Sequence, residues 1–207
     1  DVLLGLPWGK KSKLKKDIAA AYQRVLEEVC TQIVAYHLKN TGETNVVLSG
    51  GVTANVKLNQ RIAEVPGVKS IWVHPAMGDA GTGTGAAMHV LREKLGARFR
   101  PERLHDAYLG LGYSHEEVTR ALEANNLKWR EPANFAEEVA KLIYAGKVVA
   151  RFDGRMEYGP RALGNRSILG DPRSPKMQSL LNLKVKYRES FRPFAPSVLR
   201  EDVADWF

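Results

Sequence analysis

The sequence predicts an α/β protein in two parts, and three observations carry that expectation. The short apolar runs Asn45–Ser49 and Ser70–Val73 have strand length and are bounded by turn-forming residues. Stretches with apolar residues at helical spacing precede, separate and follow them. The pattern then lapses from about residue 97 to 113, where Gly, Pro and Arg accumulate. The expected division is therefore 1–96, a linker at 97–113, and 114–207.

The elements follow in order. After a lysine-rich start at residues 10–16, Asp17 precedes a helical pattern that puts Ile18, Tyr22, Val25, Leu26, Val29, Ile33 and Val34 on one face, with Gly42 placed to end it. Asn45–Ser49 reads as a buried parallel strand that turns at Gly50-Gly51 into a helix from about Ala54 to Ala63. Val65-Pro-Gly67 closes that unit. Ser70–Val73 is a second strand, leading through His74–Asp79 into the glycine-rich segment from Gly81 and a helix ending near Gly96. In the second part, Ser114 and Glu117 have capping-box spacing ahead of Val118 and Leu122, and Asn134 and Glu137 repeat it. Gly146 ends that helix, and the strand Lys147–Phe152 delivers the chain into an arginine-rich motif. A helix with Met177, Leu180 and Leu181 separates that motif from the cluster Lys184–Arg192.

Composition narrows the class. The chain has 207 residues with 44% hydrophobic content, which is globular, and no apolar run approaches the ~18 residues of a membrane span. No secretory signal pattern opens it, so a cytoplasmic location is expected. The single Cys30 cannot form an internal disulfide, and among Val25, Leu26, Val29 and Ile33 it reads as a buried helix position. The net charge is +8, and its distribution says more than its sum. From Gly146 to Arg200 there are 12 Lys plus Arg against 4 Asp plus Glu, while the rest of the chain has 19 of each sign. Such concentration favours a site for a small polyanion over a general basic face, and nucleic acid is disfavoured as a partner. An RNA surface stays open as an alternative because Phe152, Tyr158, Tyr187, Phe191 and Phe194 interleave with the cations.

Arg155-Met-Glu-Tyr-Gly-Pro-Arg-Ala-Leu-Gly-Asn-Arg-Ser-Ile-Leu169 is the most specific motif. Arginine forks match phosphate and carboxylate oxygens, and Gly159, Pro160 and Gly164 shape a loop whose amides can join them. Arg155, Arg161, Arg166, Lys186, Arg188 and Arg192 are candidate cations for an anionic ligand; Asn165 and Ser167 can orient a carbonyl or amide. Pairing of some of these arginines with Glu157, Asp171 or Glu189 is the competing reading. Upstream, Gly50, Gly51 and Asn55 form one strand-to-helix turn and Gly81 and Gly83 another; two such turns on adjacent strands could clasp one nucleotide. Asp79 beside phosphates calls for a divalent metal, Fe or Mg, with a helix cap as the simpler alternative. No residue is assigned as catalytic.

Ser49-Gly-Gly-Val-Thr-Ala-Asn-Val-Lys-Leu-Asn59, Gly78-Asp-Ala-Gly81, the arginine motif and Lys186-Tyr-Arg-Glu-Ser-Phe-Arg-Pro-Phe-Ala-Pro-Ser197 together resemble the O-carbamoyltransferases of nodulation-factor and antibiotic biosynthesis. The resemblance covers nearly the whole chain, in order. It implies the C-terminal part of an actin-like ATPase (ASKHA) carbamoyl-transfer domain followed by the start of a YrdC-like α/β domain, similar to threonylcarbamoyl-adenylate synthase. It further implies that carbamoyl phosphate and ATP give carbamoyl-adenylate, whose carbamoyl group passes to an acceptor hydroxyl. Lys186 and Arg188 match the Lys-x-Arg element that the synthase fold uses on its substrates. The glycine turns alone would also fit a kinase-like member of the actin and sugar-kinase superfamily, and a homo-oligomer is left open.

Departures from the family pattern shape what is expected. The family's metal-binding histidines belong to a segment not found here, and only Asp79 matches a ligand position, so the metal site is expected to be incomplete. The chain opens on Asp1 instead of Met and closes at Phe207 before the rest of the synthase-like domain. It is therefore read as a piece of a longer protein with little or no turnover of its own.

Overall fold

The computed structural model describes residues 12–206 and divides between His105 and Asp106. The opening Asp1-Val-Leu-Leu, the first two lysines of the basic start and Phe207 lie outside the described residues.

In the first unit α1 (Ser12–Thr41) ends at Gly42, whose φ of 73° and N–H to the carbonyl of Leu38 give the left-handed stop that glycine allows. Leu26, Cys30 and Val34, four residues apart, lie on one row of α1 and pack on the core of Leu48, Leu58 and Ile62. The broad apolar face expected from sequence is thereby corrected. Val25, Val29 and Ile33 fall one position off that row and are exposed, and Tyr22, one turn before Leu26 on the same row, is exposed because the core reaches only as far as Leu26. Cys30 is half-buried against the core.

Strand β1 (Asn45–Leu48) runs parallel to β2 (Ser70–Val73), with Asn45 opposite Ser70 and Leu48 opposite Val73. The crossover is a 3-10 turn, Gly51–Ala54, and then α2 (Val56–Ala63), so the expected helix begins two residues late behind its Asn55 cap. The sheet is parallel as expected but is covered on one face. Val46, Leu48, Ile71 and Val73 turn toward the core, whereas Val47 is 73% exposed. A 3-10 turn at Asp79–Gly81 leads into α3 (Thr82–Leu95), which Gly96 terminates at φ 51°.

The second unit begins with residues 107–111, drawn from the stretch read as a linker. They run beside the arginine motif: Gly110 N–H donates to Met156 O, Met156 N–H to Leu111 O, and Tyr158 N–H to Ala107 O. Gly110 is needed there, since a Cβ would lie 2.8 Å from Met156 Cβ. Helix α4 (His115–Ala124) carries the complete Ser114/Glu117 capping box. Helix α5 (Phe135–Tyr144) keeps half of the device: Asn134 caps the Glu137 N–H, but the Glu137 carboxylate accepts from the Asn134 side-chain amide. Gly146, at φ 76°, ends α5 as expected.

Strand β3 (Val149–Phe152) pairs antiparallel with β4 (Arg166–Leu169), Val149 opposite Leu169 and Phe152 opposite Arg166. The arginine motif is thus the connection of a hairpin together with its second strand. Beyond it Gly170 seats Met177 and Leu181, buried residues of α6 (Met177–Leu180) and of the wider π-type turn Leu181–Val185 that continues it.

Candidate functional site

In the first unit both glycine turns stand at the C-terminal ends of the paired parallel strands, the edge where open α/β sheets receive ligands. They touch: Gly50 N–H donates to Met77 O at 2.6 Å. Gly50 holds φ 105°, and a Cβ on Gly50, Gly51 or Gly83 would meet nothing within 4 Å, so the space before these three positions is open. Gly81 differs, because a Cβ there would fall 2.1 Å from Ala76 O; its role is close packing of one turn on itself. Asn55 is committed within the fold. Its Oδ1 caps the Leu58 N–H at 3.1 Å, and its Nδ2 donates to Gln23 Oε1 at 2.7 Å, which ties the cap of α2 to α1.

Asp79 is exposed, and its carboxylate neither caps a helix nor bonds to another described residue; only its backbone oxygen is engaged, by Thr82 Oγ1 at 2.7 Å. The cap alternative therefore finds no bond. No group of three or more His, Cys, Asp or Glu side chains that could hold a cation is assembled around Asp79 among the described residues.

The second unit sorts the arginine motif by what each side chain touches. Glu157 is 8% exposed, and its Oε1 accepts the backbone N–H of Leu163 at 2.7 Å, Asn165 at 2.8 Å and Arg166 at 3.3 Å. Burial pushes its carboxyl up, but the amides of Leu163, Glu157 itself, Asn165 and Arg166 hold it below the ordinary carboxylate value. Arg166 spends its fork on carbonyls, Nη1 to Asp153 O at 2.6 Å and Nη2 to Gly154 O at 3.2 Å, over the Phe152 ring. Arg155 likewise donates to Gly110 O and Leu109 O, both at 3.1 Å. Asn165 Nδ2 donates to Arg155 O at 2.9 Å, and Ser167 Oγ accepts from Gly164 N–H at 3.0 Å. Four of the motif's candidate ligand residues thus build the loop. Arg161, exposed at its tip, has no hydrogen bond or ion pair among the described residues.

The following cluster repeats the sorting. Arg192 pairs with Glu189 at 2.7 Å, which lowers the Glu189 carboxyl through that side-chain bond first. Lys186 is exposed and its ammonium has no partner among the described residues. Arg188 is half-buried, with Nε donating to Asn182 Oδ1 at 2.7 Å and its guanidinium 5.0 Å from the Phe194 ring centroid. Its fork makes no further bond within the described chain. The sequence reading missed Asn182 and the anchoring role of Glu157. A polar residue inside an apolar helix pattern (Met177, Leu180, Leu181) is the signal that could have found the first.

Paired glycine turns on a parallel strand pair, and two loops that carry Arg161, Lys186 and Arg188 without ion pairs, are what the mixed helix and sheet architecture presents. Residues 6–88 match the family model "Carbamoyltransferase N-terminus" and residues 140–207 match "Carbamoyltransferase C-terminus". The chain belongs to the carbamoyltransferase family. Among its relatives, the uncharacterized protein sll1178 of Synechocystis is 42% identical over 97% of this chain and 34% of its own length. Nodulation protein NolO of Bradyrhizobium diazoefficiens is 40% identical over 98% of this chain and 37% of its own length. For nodulation protein NolNO of Sinorhizobium fredii the values are 37%, 98% and 30%. The chain spans about a third of the length of these relatives.

Proposed function

We propose that this chain forms part of an ATP-dependent O-carbamoyltransferase, with the adenylate-forming chemistry in the second unit and transfer in the first. On this reading the first unit is the end of an actin-like ATPase domain and the second the start of a YrdC-like domain. The observation that supports it most is the sorting of cations: Arg161 and Lys186 have no partner among the described residues and Arg188 keeps its two terminal nitrogens unbonded, while their neighbours hold the loops.

Carbamoyl phosphate and ATP bring several negative charges together, which is strongly unfavourable unless fixed cations meet them. Arg161 and Arg188 would bind phosphoryl oxygens through their forks, and Lys186 would act as a point charge. Water hydrolyses carbamoyl phosphate to carbamate and inorganic phosphate; a carbamate oxygen then attacks the α-phosphorus of ATP, and pyrophosphate leaves. In the second step an acceptor hydroxyl attacks the carbamoyl carbon, its proton is lost, and AMP departs. Gly50, Gly51 and Gly83 leave open space for a nucleotide at the first unit's strand ends. Asp79 offers a single carboxylate to a divalent cation, whose chemistry would be charge neutralisation on phosphate oxygens. No group of three or more candidate ligands is assembled among the described residues, so this carboxylate alone does not define a chelating site. The reading places the reaction in the cytoplasm, where ATP is at hand; no described helix is long and apolar enough to cross a membrane.

The test is carbamoyl-phosphate-dependent release of pyrophosphate from ATP by the intact protein. Release only with both substrates supports the proposal. ATP turnover indifferent to carbamoyl phosphate would favour a kinase-like protein, and tight RNA binding that collapses with salt would favour a nucleic-acid surface.

A further inference from the structure

Asn182 is fully buried, at 0% exposure, and it lies in the wide turn Leu181–Val185. Buried amides are retained where their hydrogen bonds are complete, so its partners show what it is for. Nδ2 donates to two carbonyls of the same downstream loop, Arg192 O at 2.8 Å and Ser190 O at 3.1 Å. Oδ1 accepts from Arg188 Nε at 2.7 Å, and the Asn182 carbonyl accepts the Arg188 N–H at 2.9 Å. Residues 188–192 are thus wrapped around one buried amide. Tyr187 takes φ 48° at the bend and is 86% exposed, so the bend is not held by burial of its ring.

The direction of the Arg188 bond is informative. A guanidinium has one Nε–H and two terminal nitrogens, and bidentate binding of phosphate or carboxylate uses a pair of these donors in a fixed fork. Asn182 takes the Nε–H, and the Phe194 ring lies within cation–π range of the guanidinium. Both terminal nitrogens remain for a ligand, held by a partner that carries no charge. Arg192 and Arg173 contrast with this, since each is neutralised by a carboxylate, Glu189 and Asp171. A neutral acceptor fixes the side chain without a direct ion pair, although the Glu189 carboxylate also lies within reach of its charge, and it removes rotamer freedom that binding would otherwise have to remove.

We propose that Asn182 is a positioning residue that pre-orients Arg188 as the fixed anion receptor of the second unit. The proposal rests on the phosphorylated-substrate reading for the identity of the anion, but its geometry requires only an oxyanion with two acceptor oxygens.

The experiment is a double-mutant cycle in the intact protein, with inorganic pyrophosphate and carbamoyl phosphate as separate calorimetric probes. Asn182→Ala and Arg188→Ala are each expected to weaken pyrophosphate binding by about ten-fold or more. Asn182→Ala added to Arg188→Ala should weaken it no further, because the effect runs through Arg188. Wild-type affinity in Asn182→Ala, or a loss that persists undiminished without Arg188, overturns the proposal. Should Asn182→Ala fail to fold, the Nε–H resonance of Arg188 in the wild-type protein, assigned by its disappearance in Arg188→Lys, decides the matter. It should exchange with solvent far more slowly than that of Arg161, and equal exchange would contradict the hold. Coupled pyrophosphate binding without carbamoyl phosphate binding would retain Asn182 as a positioning residue while removing the carbamoyl reading. Binding of neither probe would remove both.

Discussion

Glu157 Oε1 accepts the backbone N–H of Asn165 at 2.8 Å, eight residues along the chain, and the same oxygen takes the N–H groups of Leu163 and Arg166. One buried carboxylate thereby closes a loop that carries Arg161 at its tip and Arg166 at its end. Glu157→Ala leaves those amides without their acceptor and should destabilise the second unit by about 2–3 kcal/mol, whereas Glu157→Gln, which keeps an acceptor oxygen, should cost less. Urea denaturation of the two variants measures this. An alanine variant that unfolds with the wild type would contradict the clamp.

The same group sets an acid limit. Burial raises the Glu157 carboxyl, the loop amides lower it, and the balance lies below the ordinary value; Asp171 is also low, first through its side-chain bond with Arg173. For a depressed folded value, stabilisation is fully present above the unfolded carboxylate value of about 4.3 and is lost as pH falls through the lower folded value. Stability should therefore be insensitive to these groups from about pH 7 down to about pH 5 and should decline below that, with a shallower decline in Glu157→Gln. Superimposable acid transitions for wild type and Glu157→Gln would remove Glu157 as a source of the decline.

Two glycines of one segment should respond in opposite ways to alanine. At Gly81 a Cβ would sit 2.1 Å from Ala76 O, a backbone atom that cannot swing aside, so Gly81→Ala should destabilise by about 2 kcal/mol or more. Gly83 lies in the first turn of α3 with nothing within 4 Å, so Gly83→Ala should stabilise by up to about 1 kcal/mol in thermal unfolding without nucleotide. If a nucleotide approaches that open space closely, the same variant should bind ATP more weakly. Equal melting temperatures for the two variants would show that the turn does not pack as described.

Much of the fold is legible locally. Ser114 and Glu117 announce α4 because a capping box is written into four adjacent residues, and Gly42 and Gly146 mark helix ends where a left-handed residue is needed. β4 is not legible in the same way: Arg166-Ser-Ile-Leu169 becomes a strand because Phe152, across the ladder, pairs with Arg166, and that register is a nonlocal fact. The tie of 107–111 to 156–158 is nonlocal too, so the stretch reads as a linker. At the site, sequence identifies the cationic residue types but not their division of labour. Whether an arginine faces carbonyls, as Arg155 and Arg166 do, or nothing, as Arg161 does among the described residues, depends on where the chain returns.

That division separates stability from binding. Arg166→Ala removes donors from the carbonyls of Asp153 and Gly154 and the contact with Phe152, and should lower stability by about 1–3 kcal/mol. Arg161→Ala touches no described partner and should shift stability by no more than about 0.5 kcal/mol. Thermal unfolding of the pair checks this, and a large loss in Arg161→Ala would mean that its side chain is part of the fold.

Release of pyrophosphate from ATP in the presence of carbamoyl phosphate, compared between the intact wild-type protein and Arg161→Ala, is the most direct test of the account. Carbamoyl-phosphate-dependent release by the wild type, reduced by about a hundred-fold in a variant that stays folded, is the predicted result for loss of a cation that meets transferring phosphoryl charge. Undiminished release by Arg161→Ala, or no release by a folded wild type, would contradict it.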